Sequence, residues 1–178
     1  MKPIASRRLV LEPLVAGHAR EMYDLLGDPA IYEFENAPPE SLEWLEGYYR
    51  KLESRKSADG TEYWLNWVVR LPGERAMGFV QATVYRGGWA DVAYVFSSAH
   101  WGRGYASEAV EAMMEELAAC WGVVRCEAVY KSANTRSRRL LDRLGFTQPL
   151  DVREIEADES RRVVVLPIIR RPGEPASR

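Results

Sequence analysis

The chain has 178 residues, of which 47% are hydrophobic and 28% are charged, and its formal net charge is −2. These values are typical of one soluble globular domain with a hydrophobic core, and they argue against a general nucleic-acid-binding protein, which would carry a basic excess. No apolar run reaches the roughly 18 residues of a membrane span. The N-terminus MKPIASRRLV lacks the apolar stretch of a signal peptide, so we expect a cytoplasmic protein.

Two cysteines, Cys120 and Cys126, are too few for a disulfide framework. Both lie among hydrophobic residues with no cluster of histidines nearby, which favours buried thiols. We therefore expect no metal site.

The first part of the chain predicts a strand followed by two helices. The run RRLVLEPL at 7–14 is apolar and bounded by proline, which is typical of a strand. Apolar residues at helical spacing predict a first helix that stops at Gly27, and Ser41 begins a second helix that runs to about Leu52. The segment EFENAPPE at 33–40, between them, is an acidic loop.

Three strands are predicted next, at 61–71, 77–86 and 89–97, because these segments are rich in β-branched and aromatic residues. The last two flank Gly87 and Gly88. Two strands separated by a two-residue glycine turn are typical of a hairpin.

The second half alternates helices and strands. Helices are predicted at 104–121 and 134–146, and strands at 123–130 and 161–169, with room for one more strand near 147–157. The resulting order, β-α-α-β-β-β-α-β-α-β, includes hairpin strands beside a βαβ crossover. It therefore predicts a mixed sheet with helices on its faces.

The segment HWGRGYASEA at 100–109 joins a strand to the longest predicted helix. Gly102 and Gly104 allow a tight bend, and a helix N-terminus offers unpaired N–H groups and a positive dipole end to an anion such as phosphate. The sequence lacks the Gly-Lys-Ser/Thr of a P-loop and the third glycine of a dinucleotide fingerprint. The turn is either a phosphate site or a plain strand-to-helix connection.

A second polar group lies at the start of the helix at 134–146. Asn134 is an N-cap residue that could also hydrogen-bond a ligand carrying an amide or a phosphate. The arginines of RSRR at 136–139 form either a solvated face or partners for phosphate. Ser137 should share the inward face of this helix with the leucines that follow it.

Taken together, WGRGYASEA and NTRSRRLLDRLGF, with RRLVLEPL at the start and GDP after the first helix, resemble the GNAT superfamily of acetyl-CoA-dependent N-acetyltransferases. The sequence is most similar to the RimJ/RimL-like branch, which includes ribosomal-protein N-terminal acetyltransferases. The resemblance covers nearly the whole chain. It implies one N-acetyltransferase domain over 1–170, and we expect a frayed tail at 171–178.

The implied fold is the α/β (α+β) GNAT fold. It has a mixed, mostly antiparallel sheet of six to seven strands flanked by about four helices, with a splay between the strands at 89–97 and 123–130. The turn at 102–106 would bind the pyrophosphate of coenzyme A through backbone N–H groups, and the pantetheine arm would lie in the splay. The resemblance implies these coenzyme-binding residues: Val95, Phe96, Trp101, Gly102, Arg103, Gly104, Tyr105, Ala106, Asn134, Arg136, Ser137 and Arg139.

Two positions depart from the general family pattern. Trp101 stands where most members have glutamine or arginine, although tryptophan is usual in the RimJ/RimL-like branch. Many members carry a tyrosine seven residues after the asparagine as the acid to the leaving thiolate, and here that residue is Leu141. The resemblance to RimL-like enzymes assigns this role to Ser137.

The implied reaction is direct acetyl transfer to a primary amine, with a backbone N–H at Val95 or Phe96 stabilising the oxyanion. Candidate bases are Asp91, Glu33 and Glu35, each of which is otherwise a surface charge. The acceptor stays open between a protein N-terminus and a small-molecule amine, and the protein between a monomer and a homodimer. The alternative function is a non-catalytic acyl-CoA-binding or sensing module, which the missing tyrosine favours.

Overall fold

A computed structural model describes residues 1–34, 37–149 and 156–167. Seven strands form one sheet whose spatial order follows the chain. The strands are β1 (Ile4–Ala5), β2 (Val10–Pro13), β3 (Glu62–Arg70), β4 (Ala76–Tyr85), β5 (Trp89–Phe96), β6 (Arg125–Lys131) and β7 (Glu159–Val165). The helices are α1 (Ala19–Leu26), α2 (Leu42–Leu52), α3 (Tyr105–Trp121) and α4 (Thr135–Arg143). The predicted fold class is confirmed.

The strands β5 and β6 pair in parallel, whereas all the other neighbouring strands pair antiparallel. Their pairing covers only Trp89–Asp91 against Arg125–Glu127, so the remaining length of both strands diverges. Helix α3 makes the crossover between them, as a parallel connection requires. The predicted splay is therefore present, and it opens toward the C-terminal ends of both strands.

Some boundaries differ from the sequence predictions. The strand predicted at 7–14 is shorter, and a separate β1 precedes it. The β4–β5 loop has three residues, 86–88, because Tyr85 pairs with Trp89. A further strand was considered near 147–157, and in this segment Thr147 forms one isolated β-bridge to Val163. Most of that segment, the end of the strand predicted at 161–169 and the 171–178 tail lie outside the described residues.

Apolar side chains fill both faces of the sheet. Trp67 packs in the cluster that contains Met113 of α3, and its neighbour Val68 packs on the opposite face against α1 and α2. The prediction of two buried thiols is half wrong: Cys126 is buried in the core, but Cys120 is exposed because it lies on the outer side of α3. Within the described ranges, no helix combines the length and apolarity needed to cross a membrane.

Gly78 of β4 sets how closely β4 and β5 approach at the splay. A Cβ atom at this position would lie 2.3 Å from the Val95 carbonyl oxygen and 2.8 Å from Cγ of Phe96. The absence of a side chain therefore keeps the end of β5 against its neighbour. By contrast, a Cβ at Gly47, inside α2, would meet no atom within 4 Å.

We predict opposite effects when these two glycines are replaced. Gly78→Ala should lower the free energy of unfolding by about 1–3 kcal/mol, because the added methyl overpacks the sheet. Gly47→Ala should raise it by about 0.5–1 kcal/mol, because alanine favours the helix interior. Urea denaturation measures both, and a Gly78→Ala protein as stable as the wild type would contradict the proposed close approach.

Candidate functional site

Two cavities meet at the splay. The turn cavity, about 370 Å³, lies between the end of β5, the start of α3 and α4. The aromatic cavity, about 580 Å³, lies on the side of α2. Six residues border both cavities, so the two spaces adjoin at the separated strands. The shared residues are Ile31, Phe34, Tyr94, Val95, Asn134 and Ser137.

The glycine turn has the backbone geometry of an anion site. Gly102 and Gly104 have φ angles of +74° and +77°, a region that favours glycine. Gly104 is the N-cap of α3 and has no side chain to bond the first turn. The N–H groups of 105–107 have no intrahelical acceptor, and all three of these residues border the turn cavity.

An ion pair between Arg8 and Glu108 holds this turn from behind. The Glu108 carboxylate accepts hydrogen bonds from Arg8 Nε at 2.6 Å, from the Arg8 backbone N–H at 2.7 Å and from the Ser6 hydroxyl at 2.8 Å. The Arg8 guanidinium also lies 4.5 Å from the Tyr105 ring centroid and donates to the Arg103 carbonyl at 3.2 Å. Burial raises the pKa of Glu108, but these hydrogen bonds outweigh it and leave the pKa below its ordinary value.

Trp101 closes the turn on the other side. Its indole N–H donates to the Phe96 carbonyl at 2.8 Å, which ties the turn to the last residue of β5. The Arg136 guanidinium lies 4.3 Å from the Trp101 ring centroid and forms an ion pair with Glu33. Glu33, one of the candidate bases, is thus exposed and paired, and it borders neither cavity.

The arginines of α4 divide into two groups. Arg139 borders the turn cavity together with Arg143, whose guanidinium donates to the Ser107 hydroxyl at 3.2 Å. Arg138 is exposed and borders neither cavity, and the same is true of Arg103 on the turn. Arg143 was not among the predicted site residues, although its spacing of four residues from Arg139 places both on one helix face.

Asn134 caps α4, as predicted. Its Oδ1 accepts the Ser137 backbone N–H at 3.0 Å, and its side chain borders both cavities. Ser137 also borders both cavities, one turn before the buried Leu140 and Leu141. The helix therefore brings an amide group and a hydroxyl group to the junction.

Tyr94 is the main site residue that the sequence analysis missed. Its hydroxyl is buried and meets no hydrogen-bond partner within the described residues. Burial raises the pKa of Tyr94 to about 12, while the nearby Ser137 hydroxyl acts in the opposite direction. Tyr94 is therefore a neutral phenol at the junction of the two cavities. Its place in a strand resembled a core position, and only the splay brings this residue to the walls of the two cavities.

Of the other two candidate bases, only Asp91 can be placed, and it lies away from the junction. Asp91 lies in the paired part of β5, where it accepts a hydrogen bond from the Tyr85 hydroxyl at 3.0 Å. It borders neither cavity. Glu35 lies outside the described residues.

Comparison with known proteins gives one family. Residues 8–147 match a family model described as an acetyltransferase (GNAT) domain. An uncharacterized N-acetyltransferase, p20 of Bacillus licheniformis, is 33% identical over 78 residues, which are 44% of this chain and 44% of that protein. The chain thus spans less than half the length of this relative.

Solved structures share the fold. RimL, the ribosomal L7/L12 α-N-protein acetyltransferase in complex with coenzyme A, superposes with a TM-score of 0.79 at 15% identity, covering 94% of this chain and 99% of that chain. Mycobacterium smegmatis RimJ, in complex with a CoA disulfide, gives 0.75 at 20% identity, covering 93% and 90% respectively. At these sequence identities, the structural similarity shows that the fold is shared.

We predict that Glu108→Gln destabilises the protein in a pH-dependent way. The loss should be about 1–2 kcal/mol near neutral pH, because a charged acceptor of three hydrogen bonds is removed. The pKa of this carboxyl is lowered in the folded state, so its contribution is present above the ordinary value of 4.5 and disappears as the pH falls below it. Chemical denaturation at several pH values measures the difference.

The exposed Glu111 on the same helix provides the control. Glu111→Gln should change stability little at any pH. A Glu108→Gln loss that stays constant down to acidic pH would contradict the charged network behind the turn.

Proposed function

The chain belongs to the GNAT acetyltransferase family, and we propose that it transfers an acetyl group from acetyl-CoA directly to a primary amine. The observation that carries the proposal is the junction of the turn cavity and the aromatic cavity at Tyr94, Val95, Asn134 and Ser137. Two substrates can enter from opposite sides and meet there. Holding two reactants together in this way supplies a large part of many enzymatic rate enhancements.

The turn cavity fits an anionic cosubstrate. Three arginines, Arg136, Arg139 and Arg143, are among its lining residues, and no carboxylate is among those described. Backbone N–H groups belong to residues that border the same space at the start of α3, and His100 borders it too. The buried Nδ1 of His100 has no partner within the described residues. These groups suit the pyrophosphate and the polar arm of coenzyme A.

Acetyl-CoA would be held by residues of the β5 end, the glycine turn and the start of α4. The proposed set is Val95, Phe96, Trp101, Gly102, Arg103, Gly104, Tyr105, Ala106, Asn134, Arg136, Ser137, Arg139 and Arg143. Arg103 would contribute only its backbone, because its side chain is exposed outside the turn cavity.

The chemistry at the junction needs one acid and a neutral amine. The amine nitrogen attacks the thioester carbonyl carbon, a C–N bond forms, the C–S bond breaks, and the amine proton passes to water. The departing thiolate takes a proton from the Ser137 hydroxyl while Tyr94 gives its own proton to the Ser137 oxygen. The water that received the amine proton then returns a proton to Tyr94. Tyr94, with its pKa raised to about 12, keeps its proton at neutral pH and remains available as a donor.

Water serves as the base in this proposal. Asp91 and Glu33 border neither cavity, and Glu35, which lies outside the described residues, stays a candidate. An α-amino group has a pKa near 7.7–8.0, so a substantial fraction is already neutral at physiological pH. Such acceptors need less help than a lysine side chain, whose pKa is about 10.4.

We predict that coenzyme A binds more tightly than dephospho-CoA and that Arg139 or Arg143 carries the difference. Arg139→Gln or Arg143→Gln should reduce the ratio of the two affinities by about two- to fivefold, the value of a solvent-exposed charge pair. Added salt should reduce it as well. Calorimetric titration measures the affinity of each variant for both ligands. Arg138→Gln, on the outer side of α4, is the matched control, and equal affinities for both ligands at low salt would exclude the phosphate contact.

We predict that the wild type releases thiol from acetyl-CoA when an acceptor amine is present. Ser137→Ala should keep acetyl-CoA affinity and lower kcat at least about tenfold, because general-acid help is typically worth about 10²–10⁴-fold and water replaces part of it. An acyl-CoA analogue with a better leaving thiol should recover part of the loss. Tyr94→Phe should lower kcat in the same direction.

The control is Ser132→Ala, whose hydroxyl contacts Ser160 outside both cavities. A Ser137→Ala enzyme with unchanged kcat, under conditions where chemistry limits the rate, would contradict the proposed acid. Coenzyme A binding without thiol release from any amine would instead support the acyl-CoA-binding module that Leu141 favours.

A further inference from the structure

The wall of the aromatic cavity is unusual in composition. Eight aromatic side chains border it, on α2, the preceding loop and the strands of the sheet. They are Tyr32, Phe34, Trp44, Tyr48, Tyr49, Phe79, Tyr94 and Tyr130. Most of the remaining lining residues are aliphatic, so transfer of an apolar group of ligand size from water into this cavity is favourable.

The charges on this wall are as informative as the rings. Glu40 is the one charged side chain among the described lining residues, and no lysine, arginine or histidine is among them. The turn cavity, by contrast, has three arginines on its wall. A single cationic group is therefore compatible with the aromatic cavity, whereas a polycation would lack the several carboxylates that its charges require.

Two of the rings form an exposed platform. Trp44 and Tyr48, one turn apart on α2, stack with their centroids 5.3 Å apart and their planes inclined by 15°. They are 47% and 42% exposed, although large aromatic rings are usually buried. Because both border the cavity, a planar ring in the ligand can extend the stack.

Polar groups lie on the floor of the cavity. Asn66 of β3 and Gln81 of β4 are register partners, and both side chains border the aromatic cavity. Asn66 is only 5% exposed. These two amides can hydrogen-bond one polar substituent, which leaves the aromatic walls for the rest of the ligand.

We propose that the acceptor is a primary amine carrying one aromatic ring, with the amine at the cavity junction and the ring against Trp44 and Tyr48. This inference rests on the proposed acetyl transfer. It favours a small arylalkylamine or a peptide with an aromatic first residue. Polyamines and aminoglycosides are disfavoured because they carry several ammonium groups, whereas Glu40 is the one carboxylate among the described lining residues. Both favoured sources share the same chemistry.

The test compares phenethylamine, hexylamine and spermidine as acceptors, with a phenylalanine-initiated and a serine-initiated peptide as the second pair. The wild type should show the highest kcat/KM for the aromatic member of each set. Trp44→Ala should raise the KM for phenethylamine relative to that for hexylamine by about two- to tenfold, the factor that one aromatic pair contributes beyond its buried area. The kcat values should change little.

Trp89→Ala is the matched control, since Trp89 stacks on Tyr85 at 4.0 Å outside both cavities. It should leave the KM ratio unchanged. Equal or higher kcat/KM for hexylamine or spermidine, or a ratio that Trp44→Ala does not move, would overturn the inference while acetyl transfer stands. The phenylalanine peptide exceeding phenethylamine would identify a polypeptide source, and the reverse would identify a small molecule.

A calorimetric arm keeps the two proposals separate. If no amine releases thiol, the proposed function fails, and phenethylamine is titrated into the protein saturated with coenzyme A. Binding that weakens in Trp44→Ala but not in Trp89→Ala supports the aromatic site. An absence of binding overturns it.

Discussion

The short pairing between β5 and β6 is the constraint on which the rest of the site depends. The two strands share hydrogen bonds over three residues each and then separate. Two parallel neighbours need a crossover, and α3 provides it, so the first turn of this helix lies beside the gap. The gap joins the cavities on the two faces of the sheet, and the glycine turn borders it.

The two faces of the gap differ in charge for local reasons. The turn cavity takes its arginines from α4, where Arg139 and Arg143 are four residues apart and share one side of the helix. The aromatic cavity takes its rings mainly from α2 and the loop before it. One side of the junction therefore attracts anions, while the other offers apolar contact.

The fold and most of the glycine turn were predictable from the sequence because they depend on local patterns. Helix periodicity, the Asn134 cap and the glycines of the turn each act within a few residues. Tyr94 was not predictable, because nothing local distinguishes a core tyrosine from one uncovered by a strand that diverges. The same applies to Asp91 and Val95, four residues apart in one strand: pairing with β6 ends at Asp91, and only Val95 borders the cavities.

The strand order has a consequence for how the protein assembles. Each described strand lies beside the strands that precede and follow it in the chain, so none has to insert between two that are already paired. During synthesis, every new strand can add to the edge left by the previous one. Such sequential pairing avoids insertion into a sheet that has already formed, although helices separate β2 from β3, β5 from β6 and β6 from β7 along the chain. Because β6 and α4 follow β1–β5 and α3 in the chain, these earlier elements leave the ribosome before the junction can form.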